Sequence, residues 1–158
     1  MEVLEKLNMR QFAQFLQEAQ IKTFAGGQEN PQEDGSTISS YSNGLYSLTD
    51  TWSGSARFAG QQVARYSRTK TPIWSCVYYG RDLNPEVMKN GGNDFLKYAL
   101  RQTPIEFPVR GPVEVKNQDF IYLNSWYGDL TNFSGLDEIF FGIKLIFQLN
   151  YMGGLVQK

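Results

Sequence analysis

The apolar positions along this chain change period several times, and each change marks an element. Phe12, Phe15, Leu16 and Ala19 fall at i, i+3, i+4 and i+7, the spacing of one helical face. Asn8 followed by Gln11 fits a capping box, which predicts a helix over Met9–Gln20. Lys22–Ala25 reads as a short extended piece stopped by Gly26-Gly27, and Gln28–Thr37 as an aperiodic, mobile polar loop. Strand patterning then takes over. Ile38–Ser42 and Leu45–Thr51 flank Asn43-Gly44, a strong hairpin signal. Arg57–Ser67 and Ile73–Tyr79 read as two more strands.

Arg81–Gly92 is a connector in which Asn84-Pro85 predicts an N-cap with proline at N1, and one helical turn that stops at Asn90-Gly91. Asn93 or Asp94 caps a second predicted helix, Phe95–Gln102, ended by Thr103-Pro104. Four strands follow: Val113–Lys116, Phe120–Trp126, Asn132–Phe141 and Lys144–Tyr151, with a tight turn at Gly142.

Laid over each other, the halves agree in order. Phe15-Leu16 and Ala19 match Phe95-Leu96 and Ala99; Asp50, Trp52 and Gly54 match Asn124, Trp126 and Gly128. Phe58 and Gly60 match Phe133 and Gly135, and Tyr78 and Gly80 match Tyr151 and Gly153. The expectation is a single α+β domain over residues 1–158, a tandem duplication (about 9–80 and about 93–154) of a helix plus four antiparallel strands. Such units side by side would give a strongly curved or half-barrel antiparallel sheet, with the helices on its concave side. Gly54 and Gly128 are expected to make turns. Gly60 and Gly135 are expected to mark a bulge, a bend, or room for a neighbouring aromatic.

Alternation in the last strand puts Leu145, Phe147, Leu149 and Tyr151 on the buried face. Their counterparts Trp74, Cys76 and Tyr78 are then buried too, with Cys76 a small apolar core residue rather than a reactive thiol. Ile73, Ser75, Val77 and Tyr79 face the other way and are more apolar than the matching Ile146, Gln148, Asn150 and Met152. That face of the first half is expected to be covered by something.

Composition narrows the chemistry. Aromatics reach 15%, there is no histidine and one cysteine, and the net charge is −1. Without histidine there is no Ser-His or Cys-His nucleophile pair and no ordinary zinc site. No metal, cofactor or catalytic residue is therefore assigned. The charge balance argues against nucleic acid as a partner for this chain alone. No apolar stretch is long enough to span a bilayer and no leader pattern opens the chain, so the expectation is a cytoplasmic protein without a membrane partner.

Several of these residues also form a recognisable set. Asp50-x-Trp52-x-Gly54, Arg57-Phe58-Ala59-Gly60-Gln61 and Ile73-Trp74-x-x-Val77-Tyr78-Tyr79-Gly80 resemble a family of uncharacterised bacterial domains of unknown function. Arg110-Gly111-Pro112 and Gly128-Asp129-x-x-x-Phe133-Ser134-Gly135 extend the likeness, which spans Phe12 to Val156. The family occurs alone or C-terminal to XRE-type helix-turn-helix modules. The resemblance implies a fold and a regulatory context, but no activity.

Three functional readings follow. In the first, Asp50, Trp52, Arg57, Gln61, Trp74, Tyr78, Tyr79 and Trp126 line a concave aromatic pocket near the junction of the halves, binding a small molecule as a sensor. The halves differ at Asp50/Asn124, Arg57/Asn132 and Gln61/Leu136, so the site is sought on the first half. In the second, the chain is an interaction or dimerisation module. Arg57, Arg65, Arg68, Lys70 and Arg81 stand without an acid between Thr51 and Arg81, and Asp119, Asp129, Asp137 and Glu138 without a base between Gln118 and Ile143. In the third, an enzyme uses Asp50 or Asp129, which requires one of them to be buried in a pocket beside another acid or an arginine.

Overall fold

The computed structural model describes residues 7–24 and 28–157. Helix α1 (Met9–Phe24) begins as expected, with the Gln11 N–H donating to Asn8 Oδ1 at 3.0 Å. It runs past Gln20, so Lys22–Phe24 are helical rather than extended. The Thr23 hydroxyl donates to the Ala19 carbonyl at 2.8 Å, which satisfies that polar side chain within the helix. Ala25 and the Gly26-Gly27 stop lie outside the described residues.

The polar segment that follows is more ordered than a bare loop. It holds β1 (Asn30–Pro31), which pairs with β2 (Thr37–Asn43). Pro31 is tolerated because an edge strand leaves one row of groups unpaired. A turn joins the two, where Asp34 Oδ1 accepts from the Ser36 N–H and hydroxyl. β3 (Tyr46–Gly54), β4 (Arg57–Tyr66) and β5 (Pro72–Asp82) continue the meander.

Asn84 caps the one-turn α2 (Pro85–Val87), its side chain accepting from the Val87 N–H at 3.2 Å. A π-helical turn over Met88–Gly92 leads into α3 (Asn93–Leu100). Neither Asn93 nor Asp94 caps α3. The kink sits earlier, at Asn90 and Gly91 (φ 129°), and Gly92 is already helical, so the preceding turn supplies the start. The chain closes with β6 (Glu114–Asn117), β7 (Phe120–Asp129), β8 (Asn132–Phe141) and β9 (Lys144–Leu155).

The fold is α+β. Among the described residues the strands join one open antiparallel sheet of nine, ordered β1-β2-β3-β4-β5-β9-β8-β7-β6. The added strand relative to the sequence reading is β1. β5 and β9 meet at the centre, where Tyr78 lies opposite Tyr151. From there one row crosses the sheet: Trp52, Gly60, Tyr78, Tyr151, Gly135, Trp126. The two glycines sit between aromatics for a steric reason. A Cβ on Gly60 would overlap the Tyr78 ring and hydroxyl, and one on Gly135 would overlap the ring of Tyr151. They provide room for an aromatic; the register shifts lie elsewhere, at Ala64/Arg65 and Ile139/Phe140. Gly54 and Gly128 take the turn role, with φ of 93° and 86°.

Both long helices cover the same face of the sheet. Phe12 meets Tyr46 and Trp74 edge-on at 5.5 and 6.1 Å, and Phe95 stacks on Phe120 at 5.2 Å. Trp74, Cys76, Phe147, Leu149 and Tyr151 are buried as alternation predicts. The shift after Ile139 turns Ile146 inward and leaves Leu145 only half-buried. Burial pushes the Cys76 thiol up to about 12, consistent with a core residue. The link after α3 has no regular structure but is an integral part of the core: Phe107 is buried and stacks on Trp126 at 4.6 Å. Among the described residues no helix is long and apolar enough to cross a membrane.

Candidate binding site on the open face of the sheet

Strand alternation divides the eight proposed site residues between two faces. Asp50, Trp52, Trp74, Tyr78 and Trp126 point to the helix-covered side; Arg57, Gln61 and Tyr79 point to the bare side. Tyr78 and Tyr79 are neighbours on one strand, so their side chains cannot share a pocket wall. Trp74 is fully buried, its indole N–H donating to the Leu130 carbonyl at 3.1 Å, which ties the halves together. Gln61 donates to the Ser75 hydroxyl at 2.9 Å.

A trough of about 690 Å³ lies on the bare face, over β5, β9, β8 and β7. Val77, Tyr79, Leu136, Asn150, Met152 and Tyr127 form its walls, and Ser125 and Ser134 add hydroxyls. Tyr78 and Trp126 contribute only at the floor, since their side chains are engaged on the other side. Most of the wall comes from the second half of the chain, not the first. Helices were expected on the concave side; the depression is on the side they leave free. None of the lining residues carries a charge. Its apolar members are unusually accessible: Val77 is 43%, Tyr79 45%, Met152 58% and Tyr127 85% exposed.

On the opposite face lies a polar network that the sequence reading largely missed. Asp50 is buried, and its Oδ1 accepts from the Tyr78 hydroxyl at 2.6 Å. Burial raises this carboxyl to about 6, against the lowering effects of the Tyr78 and Gln62 hydrogen bonds and of the Arg110 charge. Gln62 forms a reciprocal amide pair with Gln20 of α1, both contacts 2.8 Å. On β7 the buried Asn124 Oδ1 accepts from the Tyr151 hydroxyl at 2.6 Å. Asp137 Oδ2 accepts from Arg110 Nε at 2.7 Å and from the Tyr122 hydroxyl at 2.8 Å. Burial opposes the Arg110 charge, but the adjoining Asp137 carboxylate holds the guanidinium above its ordinary value. The Tyr122 hydroxyl is pushed up by burial and by Asp137. Asp137 Oδ1 has no hydrogen-bond partner among the described residues. The signal for Arg110 was present in the Arg110-Gly111-Pro112 motif. Nothing local marks Gln20, Gln62, Tyr122 or Asp137 as members of one cluster, because they converge only through the sheet.

The two carboxylates singled out for an acid–base role are far from equivalent. Asp129 is exposed and caps a turn, accepting from the Thr131 N–H and hydroxyl at 2.8 and 2.6 Å. Those hydrogen bonds hold its carboxyl below the usual range. Asp50 is buried on the helix side and does not line the trough.

A family model matches residues 50–156. The chain belongs to DUF5680, a domain of unknown function. No curated protein and no solved structure matches it. The DUF5680 match starts at Asp50 and takes in every residue lining the trough, together with Arg110, Tyr122 and Asp137. It leaves α1 outside, so Gln20 and the Phe12 contacts are supplied to this DUF5680 domain by a segment before the match.

Proposed function

We infer that this domain binds an uncharged, flat, largely apolar small molecule in the trough at the β5–β9 junction, as a cytoplasmic sensor rather than as a catalyst. One observation carries the reading: an apolar depression of about 690 Å³ with exposed aromatic and methionine side chains and no charged residue in its lining. That volume falls within the range of small-molecule sites, roughly 300–1,000 Å³. Tyr79 and Tyr127 offer ring faces for stacking, Met152 an adaptable thioether, and Asn150, Ser125 and Ser134 the few polar groups that would orient a ligand. Exposed apolar clusters of this kind on a folded domain mark binding surfaces.

The reading includes a tandem duplication. In its support, Gly54 and Gly128, Gly60 and Gly135, and the Asp50–Tyr78 and Asn124–Tyr151 hydrogen bonds take corresponding places on either side of the β5–β9 junction. A helix and four strands on each side, plus the edge strand β1, account for the whole sheet. Thermal-shift screening of planar neutral metabolites tests the ligand reading. A hit whose shift disappears in Met152→Glu supports it. No hit, or hits unaffected by Met152→Glu and Val77→Glu, would overturn it.

A further inference from the structure

We propose that the bare face of the sheet is also a self-association surface, on which a second copy of this chain docks about a two-fold axis running along the β5–β9 junction. The strand registers define the outward rows. One reads Arg57, Arg81, Gln148, Glu138 across β4, β5, β9 and β8. The next outward row reads Ala59, Tyr79, Asn150, Leu136, and the one after it Gln61, Val77, Met152, Ser134.

A two-fold axis along the strands, midway between β5 and β9, exchanges β4 with β8 and β5 with β9 of the facing copy. Arg57 then meets Glu138 of the partner subunit, Val77 meets Met152 of the partner subunit, and Ala59 meets Leu136 of the partner subunit. Cation falls on carboxylate and apolar on apolar, and no like charges are opposed. The other in-plane axis, across the strands, would set each strand against its own copy, and β8 has no Lys or Arg to meet Glu138.

The charges are available for this. Among the described residues Arg57 makes no ion pair, and Glu138 accepts only a 3.3 Å hydrogen bond from Gln148. Twisted sheets pack face to face at roughly 30°, which the lengths of Arg and Glu side chains accommodate near the axis. A two-fold contact is self-complementary and closes at the dimer. The same contact covers Val77, Tyr79 and Met152, and lays β4 and β5 of the second copy over the β8 and β9 side of each trough. The inference rests on the charge pattern and needs no ligand, so it can fail while the trough still binds a small molecule, and the reverse.

Sedimentation equilibrium of the ligand-free protein at low and high salt provides the test, with far-UV circular dichroism confirming that each variant is folded. The wild type is expected to dimerise, more weakly in high salt. Arg57→Glu and Glu138→Arg should each weaken dimerisation at least tenfold. The double variant carrying both changes should regain it, because the swapped charges meet again across the axis. A wild type that stays monomeric at several hundred micromolar, or a double variant no better than the singles, overturns the proposal.

Discussion

The hydroxyl of Tyr78 donates a 2.6 Å hydrogen bond to the buried carboxylate of Asp50. The second half of the sheet makes the same contact with a neutral amide, Asn124, and Tyr151 at 2.6 Å. The fold therefore holds a carboxylate where an uncharged group would serve. With its folded value raised to about 6, Asp50 favours the native state most fully below the ordinary carboxylate range. That contribution is lost as pH rises through about 6. Asp50→Asn is accordingly expected to stabilise the protein by about 1–3 kcal/mol at pH 8, and to do so little at pH 4. Urea denaturation of both proteins across that range checks the sign and the midpoint.

Gly135 and Tyr151 are cross-strand partners, and a Cβ at position 135 would occupy the space of the ring. Gly135→Ala should destabilise by about 1–3 kcal/mol through overpacking. The cost should shrink in a Tyr151→Leu background, where the ring is gone. Gly60→Ala should also destabilise, but with less relief from Tyr78→Leu, because a Cβ there also meets the Thr51 carbonyl. Denaturant midpoints for the four proteins of the Gly135/Tyr151 cycle give the coupling.

The Arg110–Asp137 pair is buried at 2.7 Å and joins the irregular link to β8. Arg110→Met leaves the Asp137 carboxylate without its cation and should cost about 3–5 kcal/mol. Arg110→Met with Asp137→Leu should recover much of that, since two apolar groups replace two charges. A double-mutant cycle in guanidinium chloride would measure it, with the Phe24 ring, 5.3 Å from the Arg110 guanidinium, reporting local loosening by NMR.

Much of the architecture was legible in the chain, for identifiable reasons. Phe12, Phe15 and Leu16 show the helical period, and Phe147, Leu149 and Tyr151 the strand period, because each stripe faces one core. Asn84 and Asn8 declared themselves as caps. α1 runs past Gln20 because Lys22 is a good helix former, Thr23 bonds back to Ala19, and the Phe24 ring lies against the Arg110 guanidinium, a contact distant in sequence. The site was less legible. Alternation already separates Tyr78 from Tyr79, so one pocket could not hold both side chains; that Gln61 sits on the face of Val77 and not of Trp74 follows only from the β4–β5 register. Only register reveals that Val77, Leu136 and Met152 come together, since they lie on three strands far apart in sequence. Likewise Asp137 gave no local sign that Arg110 and Tyr122 would converge on it.

If the trough is the binding site, an uncharged planar probe must perturb it and not the helix-covered face. Titration of 2-naphthol into isotope-labelled protein, followed by amide chemical shifts, tests this most directly. The account predicts saturable shifts centred on Val77, Tyr79, Leu136, Asn150 and Met152, abolished by Met152→Glu. Shifts that cluster around α1 and α3, or none up to millimolar probe, would contradict it.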